Sequence, residues 1–190
     1  MATFDLAKAL RRLKPQKHLT RLVRRDEADL RFAENEELAG PQLLLDTCVY
    51  LHVLRGATPS QVDALLKTRT LLHSAIAIAE LTNHFGARIP SNEAERRAQD
   101  TLAATIDDIP EYRVIVPSTS VWGEAGILAG MRARLGAYNK GQEQDGLNDA
   151  LMLIQAREAG AVVLTANLSD FDLLQQLEPN AQVLFYRSTR

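Results

Sequence analysis

The sequence predicts an α/β protein, a three-layer α/β/α sandwich with a mainly parallel central sheet. Short apolar runs alternate with helix-like segments from residue 42 onward, and strands separated by helices favour parallel pairing with right-handed crossovers. Residues 161–165 are apolar at nearly every position, which is typical of a parallel strand buried on both faces. The 190 residues, 46% of them hydrophobic, are enough for one domain with a sizeable core.

The beginning of the chain predicts a helical N-terminal extension (residues 1–40) packed on a main domain (residues 41–190). The apolar face of a first helix is formed by Leu6, Leu10 and Leu13. Pro15 ends this helix. The apolar positions of a second helix are Leu19, Leu22, Val23, Leu30 and Phe32. The pair Gly40-Pro41 marks the boundary with the main domain.

The extension is basic, whereas the rest of the chain is acidic. Residues 1–25 carry eight Lys and Arg side chains against one acid, Asp5, a balance of +7. Because the whole chain has a net charge of -2, the remainder carries -9. A basic arm can contact a polyanion such as a nucleic acid. The same residues could instead form the solvated face of a helix, and charge alone favours this second interpretation.

The first half of the main domain predicts one strand followed by helices. The short apolar run at residues 42–46 indicates the strand. Helices follow at residues 47–54, from Pro59 onward, and at residues 74–85. Gly86 stops the last of these helices. Its buried face is expected to contain Ile76, Ala79 and Leu81. A polar helix is expected at residues 91–106.

The second half of the main domain alternates strands and helices. Residues 112–116 alternate like a strand, and Ser118 then caps a long helix that ends near Gly136. A polar loop at residues 139–146 leads to an apolar helix at residues 148–159. The remaining strands are expected at residues 161–165 and 181–185.

Oxygen-bearing side chains follow or interrupt several of the apolar segments. They are Asp46, Glu80, Asp149, Asn167 and Asp170. Asp46 and residues 165–170 stand at the carboxyl ends of strands, where parallel sheets place their ligand crevice. Carboxylates that gather repel one another and lose hydration, so a fold keeps them together mainly around a cation. Oxygen ligands without Cys or His clusters favour Mg²⁺ or Mn²⁺, which indicates metal-assisted phosphodiester chemistry.

Each of these residues also has an ordinary structural explanation. Asp46 precedes a helix and is a good N-cap. Glu80 could face solvent on its helix, and Asp149 could stabilise a helix dipole, an effect of roughly 0.3–1 kcal/mol. Asn167 and Asp170 are typical turn residues. Two further carboxylates are expected to be solvated: Asp145 and Asp172.

Four short motifs follow one another along the main domain. They are Leu-Leu-Asp-Thr at 44–47, Ser-x5-Glu-Leu at 74–81, Asn-Asp-Ala-Leu at 148–151 and Thr-x-Asn-x-x-Asp-Phe at 165–171. As an ordered set between about Leu43 and Phe185, they resemble the PIN-domain nucleases, and most closely the VapC-like toxins of bacterial toxin–antitoxin pairs. The chain departs from that pattern at Cys48, where the family commonly has Asn, and in its N-terminal extension.

The resemblance implies a metal-dependent endoribonuclease. The family's three main acidic positions are matched by Asp46, Glu80 and Asp149. Asn167 stands in the usual place of a variable fourth position, and Asp170 lies just beyond it. The implied ligands of Mg²⁺ (or Mn²⁺) are Asp46, Asp149, Glu80 and Asn167, with Asp170 as an alternative to Asn167. The implied catalytic residues are Asp46, Glu80, Asp149 and Asp170, and Glu80 would bind the ion or orient the attacking water.

The resemblance also implies partners. They are an RNA substrate, a cognate antitoxin whose tail plugs the acidic cleft, and a second copy of the chain in a homodimer. RNA is expected to contact basic residues around the rim: Arg55, Lys67, Arg69, Arg88, Arg132, Arg134 and Lys140. A simpler explanation for each of these residues is that a charged side chain at the surface keeps the protein soluble.

The composition favours a cytoplasmic protein without membrane contact. No apolar run approaches the roughly 18 residues that a membrane helix needs, and no secretory segment follows Met1. The only cysteine, Cys48, excludes an internal disulfide and a cysteine-based zinc site. We expect it to be a small buried hydrophobe.

Other functions remain open on the sequence alone. A PIN-like interaction module that has lost catalysis would suit an Asn at the fourth position. A housekeeping RNA-processing nuclease would use the same acids. A haloacid-dehalogenase-like phosphatase also has an Asp after its first strand, but its chemistry needs a second Asp two residues later, where Cys48 stands.

Overall fold

A five-stranded, wholly parallel sheet forms the centre of the molecule. The computed structural model describes residues 4–136 and 143–189. The strands are β1 (Leu43–Leu45), β2 (Leu71–Ser74), β3 (Val114–Ile115), β4 (Val162–Thr165) and β5 (Gln182–Phe185). Their order across the sheet is β3-β2-β1-β4-β5. All four neighbouring pairs are parallel, as the sequence predicted.

Helices flank this sheet, so that the predicted α/β/α architecture is confirmed. The described residues contain α1 (Leu6–Leu13), α2 (Thr47–Leu54), α3 (Ser60–Thr68), α4 (Ala75–Ala87), α5 (Glu93–Asp107), α6 (Thr119–Arg134), α7 (Glu143–Glu158) and α8 (Leu168–Leu177). Helix α6 packs along α7, and α8 contacts both of them. None of the described helices is long and apolar enough to cross a membrane.

The two central strands explain why the sheet is parallel and where a site can form. All three residues of β1 and all four of β4 are buried, as expected for strands covered by helices on both faces. Leu43 pairs with Leu71 of β2 on one side and with Val162 of β4 on the other. The chain therefore runs outward from β1 to β3 and returns to the other side at β4. The carboxyl ends of β1 and β4 flank this change of direction, where open α/β sheets form a crevice.

The structure corrects the predicted boundaries around β2. Residues 71–74 form a strand that the sequence did not indicate, and α4 begins only at Ala75. The Ser74 hydroxyl accepts a hydrogen bond from the Ile76 amide at 3.1 Å, so Ser74 both ends the strand and caps the helix. Gly86 does not stop this helix, which continues to Ala87. Ala79 is exposed rather than buried, because Ala77 occupies the inward face.

Two further boundaries differ in the second half of the chain. Helix α7 begins at Glu143, so the predicted loop is wrong for residues 143–146; residues 139–142 lie outside the described residues. Asn148 is consequently inside the helix instead of capping it. Residues 168–177 form α8, which the sequence had suggested only as a turn after β4. Strand β3 is two residues long, shorter than predicted.

From residue 4 onward the N-terminal extension contains one α-helix, not the two helices that were predicted. After α1 the chain continues through three short 3₁₀ turns, at Pro15–Lys17, Glu27–Asp29 and Ala33–Asn35. Phe32 forms a parallel bridge with Phe185, which places the extension beside the outer edge of β5. Helix α1 packs against α6. The division into residues 1–40 and 41–190 stays a prediction, but the extension is closely tied to the main domain.

Several of the extension's basic residues form ion pairs with the main domain, so its charge is not wholly available to a polyanion. Arg12 pairs with Glu124, and its Nε lies 3.7 Å from Glu178. The Arg25 Nε donates to Asp172 at 2.6 Å. All three of these carboxylates, on Glu124, Glu178 and Asp172, are buried. Part of the basic character of residues 1–25 therefore serves to attach the extension.

Replacing Gly40 by Ala is expected to lower the free energy of unfolding by about 1–3 kcal/mol, the usual cost of overpacking. A Cβ at this position would lie 2.8 Å from the Arg69 guanidinium carbon. The guanidinium cannot easily move away, because it donates to the carbonyls of Leu38 at 3.1 Å and Ala39 at 3.3 Å and pairs with Glu36 at 2.8 Å. Urea unfolding followed by circular dichroism measures the change.

The matched control is Gly126→Ala on the exposed side of α6. Apart from the adjoining residues and the backbone of α6 itself, no heavy atom lies within 4 Å of a Cβ added there. Alanine in a helix interior is favoured over glycine by roughly 0.5–1 kcal/mol, so this variant should gain stability. Equal changes in both variants would contradict the close packing of Arg69 on Gly40.

Candidate active site

Asp46 lies at the carboxyl end of β1 with its side chain turned towards β4. Its Oδ2 accepts hydrogen bonds from the Thr165 hydroxyl at 2.5 Å and from the Cys48 thiol at 2.9 Å. Although Asp46 occupies the N-cap position of α2, its side chain makes no capping hydrogen bond. Its carboxylate is buried in the crevice at the ends of the two central strands, where the Thr165 and Cys48 side chains orient it.

Glu80 enters the same crevice from α4. Its Oε1 accepts a hydrogen bond from the Asn148 amide at 2.6 Å, and its Oε2 accepts one from the Thr47 hydroxyl. These donors come from α7 and α2, so the glutamate lies between three helices. Glu80 is partly buried and both of its oxygens accept hydrogen bonds, so it is not simply a solvated residue of its helix.

Asp149 enters from α7 and is also buried. Because α7 begins six residues earlier, at Glu143, Asp149 lies beyond the first turn and the helix-dipole explanation does not account for it. It is close enough to Asp46, Asp170 and Glu80 for their charges to raise its pKa. The Arg132 guanidinium lies on another side, with Nη1 3.8 Å from the Asp149 Oδ2.

Asn167 and Asp170 form the beginning of α8, directly after β4. The Asn167 Oδ1 caps the helix by accepting a hydrogen bond from the Asp170 amide at 3.3 Å. The Asn167 Nδ2 donates to the Asp170 Oδ2 at 2.7 Å. The other carboxylate oxygen of Asp170 accepts from the Arg132 Nη2. Both residues thus border the crevice, but the amide of Asn167 is occupied with the helix terminus.

The electrostatics of the crevice favour a bound cation. Burial is the main cause that raises the pKa of Asp46, of Glu80 and of Asp149. The negative charge of Asp46 adds to the rise for the other two residues. These carboxylates are therefore difficult to ionise unless positive charge is supplied.

The donor chemistry fits a hard divalent cation that keeps part of its water. The available donors are carboxylate oxygens, which Mg²⁺ and Mn²⁺ prefer, and Mg²⁺ is commonly held by one or two carboxylates with water or phosphate. Within residues 4–136 and 143–189, no group of three or more His, Cys, Asp or Glu side chains is placed to hold a metal ion. A cation here would consequently rest on few protein ligands, with Asp46 and Asp149 as the most suitable pair.

Two residues that the sequence did not place in the candidate site, Cys48 and Asn148, border it, together with Thr165 from the segment 165–170 that was expected there. Thr165 and Cys48 both donate to Asp46, and Asn148 donates to Glu80. Cys48 is therefore a polar neighbour and not only a small hydrophobe. Burial, followed by the charge of Asp46, raises the pKa of its thiol, which keeps the donor proton on sulfur. For Cys48 the sequence held one signal of this contact, namely its position two residues after Asp46.

Other expectations about charged residues are corrected. Asp172 is fully buried and not solvated, because Arg25 supplies its counter-charge; Asp145 is exposed as expected. Arg69 and Arg132 are buried and therefore do not belong to an exposed rim. The other basic candidates in the described part of the chain are exposed: Arg55, Lys67, Arg88 and Arg134. Lys140 lies outside the described residues.

Comparisons with known proteins support the fold. No family model matches the sequence, and no curated protein matches it. Among solved structures, a chain of VapBC2 from Rickettsia felis, bound to a DNA fragment from its promoter, superposes with a TM-score of 0.54 at 19% identity, over 76% of this chain and 98% of that one. FitAcB from Neisseria gonorrhoeae gives a TM-score of 0.53 at 19% identity, over 76% of this chain and 96% of that one.

DNA-bound VapBC from Salmonella typhimurium is similar to the same extent, with a TM-score of 0.50 at 22% identity, over 76% of this chain and 97% of that one. Identities this low establish a shared architecture and leave the chemistry to be argued from the residues. The chain therefore has a PIN-like α/β/α fold, and its predicted resemblance to VapC-like proteins is confirmed at the level of the fold.

Proposed function

We propose that this chain is a Mg²⁺- or Mn²⁺-dependent endoribonuclease and the toxin of a toxin–antitoxin pair. The observation that carries the proposal is the convergence of Asp46, Glu80 and Asp149 at the carboxyl ends of β1 and β4, with their pKa values raised. The shared fold with the VapBC and FitAcB structures supports it. The toxin would act in the cytoplasm.

Asp46 and Asp149 would hold the cation. Thr165 and Cys48 fix the orientation of Asp46 by donating to one of its oxygens. Asp149 comes from α7 and is near enough to Asp46 for the charge of Asp46, after burial, to raise its pKa. A bound Mg²⁺ or Mn²⁺ supplies a Lewis acid that lowers the pKa of an attacking water and neutralises charge on the scissile phosphate.

Glu80 is suited to orient the attacking water and to accept its proton. Its two oxygens are fixed by Thr47 and Asn148. Burial raises its pKa, which brings the carboxylate closer to the pH at which a general base works well. The water oxygen would attack phosphorus in line, the bond from phosphorus to the 3′ oxygen would break, and that oxygen would take a proton from solvent water and leave as a 3′-hydroxyl.

RNA and an antitoxin are the proposed partners, together with a second copy of the chain in a homodimer. The exposed Arg55, Arg88 and Arg134 are candidates for phosphate contacts. With few aromatic residues available for stacking on bases, recognition of RNA would depend on shape and backbone. The cognate antitoxin would bind in the acidic crevice, where its basic groups would form ion pairs with the carboxylates.

Asp46→Asn and Asp149→Asn are each expected to reduce Mg²⁺-dependent cleavage of RNA by at least about 100-fold, since loss of a ligand should exceed the 10–100-fold effects of outer-shell changes. Cleavage of a mixed RNA substrate, followed on denaturing gels with and without a chelator, measures this. Asp100→Asn, on the exposed face of α5, is the control and should cleave normally. Undiminished cleavage by the two site variants, or cleavage that survives chelation, would contradict the proposed function.

A second candidate is a PIN-like interaction module without catalysis. The observation that favours it is the buried Arg132, which already pairs with Asp170 and lies near Asp149. Calorimetric titration with Mn²⁺ separates the two functions. A nuclease should take up Mn²⁺ in a way that Asp46→Asn abolishes, whereas a module without catalysis should not.

A further inference from the structure

Arg132 places a fixed positive charge inside the acidic cluster. It lies on α6 and is 1% exposed, so its guanidinium is not a surface group that reaches over the crevice. Its Nη2 donates to the Asp170 Oδ1, and its Nη1 lies 3.8 Å from the Asp149 Oδ2. One guanidinium therefore serves two carboxylates that come from different helices, α7 and α8.

Asp170 has little capacity left for a metal ion. One of its oxygens accepts from Arg132, and the other accepts from the Asn167 Nδ2 at 2.7 Å. A cation bound directly to Asp170 would lie beside the guanidinium that already pairs with this carboxylate, and the two positive charges would repel each other. The amide oxygen of Asn167 is also engaged, because it caps α8 at the Asp170 amide.

The side of the cluster that contains Asp46 and Glu80 differs in the charge of its hydrogen-bond donors. The hydrogen bonds described at Asp46 come from the neutral groups of Thr165 and Cys48. Those described at Glu80 come from the neutral groups of Thr47 and Asn148. Neutral donors orient a carboxylate but do not cancel its charge, so the demand for a cation is concentrated on this side.

We propose that Arg132 takes the place of a second cation, so that the crevice binds a single divalent ion on the side of Asp46, with Asp149 shared between that ion and the guanidinium. A guanidinium cannot lose its proton in a protein, so Arg132 is a permanent counter-charge that is hydrogen-bonded to Asp170 and lies 3.8 Å from Asp149. Arg132 is thus a positioning residue that holds Asp149 and Asp170. The inference rests on the proposed function, since it concerns the same crevice.

Calorimetric titration of the full-length protein with Mn²⁺ tests this inference. The wild type should bind one Mn²⁺ ion per chain, and Arg132→Met, which has a similar length and no charge, should bind two. Arg132→Lys restores the charge and should return the number to one. The matched control is Arg157→Met, because Arg157 also pairs with two buried carboxylates, Glu124 and Glu178, outside the crevice; it should bind one.

Asp170→Asn gives an answer that does not depend on the stability of Arg132→Met. Asparagine can still accept a hydrogen bond from Arg132, and the variant should keep one Mn²⁺ ion per chain, whereas Asp149→Asn should lose it. Thermal melts by circular dichroism without metal verify that each variant is folded.

The outcomes separate this inference from the proposed function. Two ions in the wild type, loss of binding in Asp170→Asn, or unchanged binding in a folded Arg132→Met would overturn the role of Arg132 and leave the nuclease proposal standing. Absence of Mn²⁺ uptake by the wild type would overturn both. A single ion in the wild type and in Asp170→Asn, with a second ion only when the charge of Arg132 is removed, would support the inference.

Discussion

Replacing Arg25 by Met is expected to lower the free energy of unfolding by about 3 kcal/mol, near the lower end of the range for breaking a buried ion pair. The Asp172 side chain is 0% exposed, whereas Arg25 is 35% exposed. Two Arg25 groups donate to this carboxylate, the backbone amide at 2.9 Å and Nε at 2.6 Å. Without the guanidinium, Asp172 would keep the Gln176 amide at 3.2 Å and the Arg25 backbone amide, but no counter-charge.

The neighbouring residue provides the control. Arg24 is 42% exposed and its closest acid, Glu27, is 3.7 Å away and equally exposed. Such surface pairs are worth roughly 0–1 kcal/mol, so Arg24→Met should change little. Asp172→Asn in the Arg25→Met background should recover part of the loss, because the buried charge is then removed. Equal destabilisation by Arg24→Met and Arg25→Met in urea unfolding would show that the pair does not attach the extension.

The parallel sheet could be predicted because its central strands are covered on both faces. Such strands need apolar residues at every position, and the runs before Asp46 and around Val163 satisfy this requirement. Strand β2 was missed because it ends in polar residues whose partners are distant in sequence. His73 accepts or donates a hydrogen bond at 2.6 Å with Tyr50, and the Ser74 hydroxyl donates to Gln155 at 2.7 Å.

The acidic residues of the candidate site could be selected from their positions at the ends of strands and in apolar helices, and their membership in a metal site stays a prediction, whereas Arg132 could not be assigned to its partners. Its ion pair with Asp170 crosses 38 residues of sequence, and no local pattern reports such a contact. A weaker signal was present, however. Arg132 continues the buried stripe of α6 that includes Ala125 and Leu128, and a charged residue in an apolar stripe is buried only when it is paired.

Raising the pH from about 5 to 8 is expected to lower the stability of the cation-free protein through the acidic crevice, by about 1.4 kcal/mol for each unit by which a raised pKa lies above 5. In the unfolded chain Asp46, Glu80 and Asp149 ionise near their ordinary pKa values, whereas burial raises their pKa values in the folded protein. At a pH between the ordinary pKa and the raised pKa, the folded protein binds more protons than the unfolded chain does. Its advantage is complete below the ordinary pKa and is lost as the pH rises through the raised pKa.

Mg²⁺ should reverse this loss at pH 8, because the carboxylates have then lost their protons and the ion supplies the missing positive charge. A ligand at 100 times its dissociation constant stabilises the folded state by about 2.7 kcal/mol. Urea unfolding at both pH values, with and without Mg²⁺, measures the effect.

Comparison with Asp149→Asn isolates the contribution of the crevice. Burial lowers the pKa of His52 and of His73, so these residues add stability as the pH rises and act in the opposite sense. Their effect is present in both proteins and cancels in the difference between wild type and variant. If the carboxylates form one cation site, Asp149→Asn should flatten the pH dependence and remove the response to Mg²⁺, while Asp100→Asn should retain both. A wild type that responds to Mg²⁺ equally at pH 5 and pH 8 would mean that its carboxylates are already ionised without a cation.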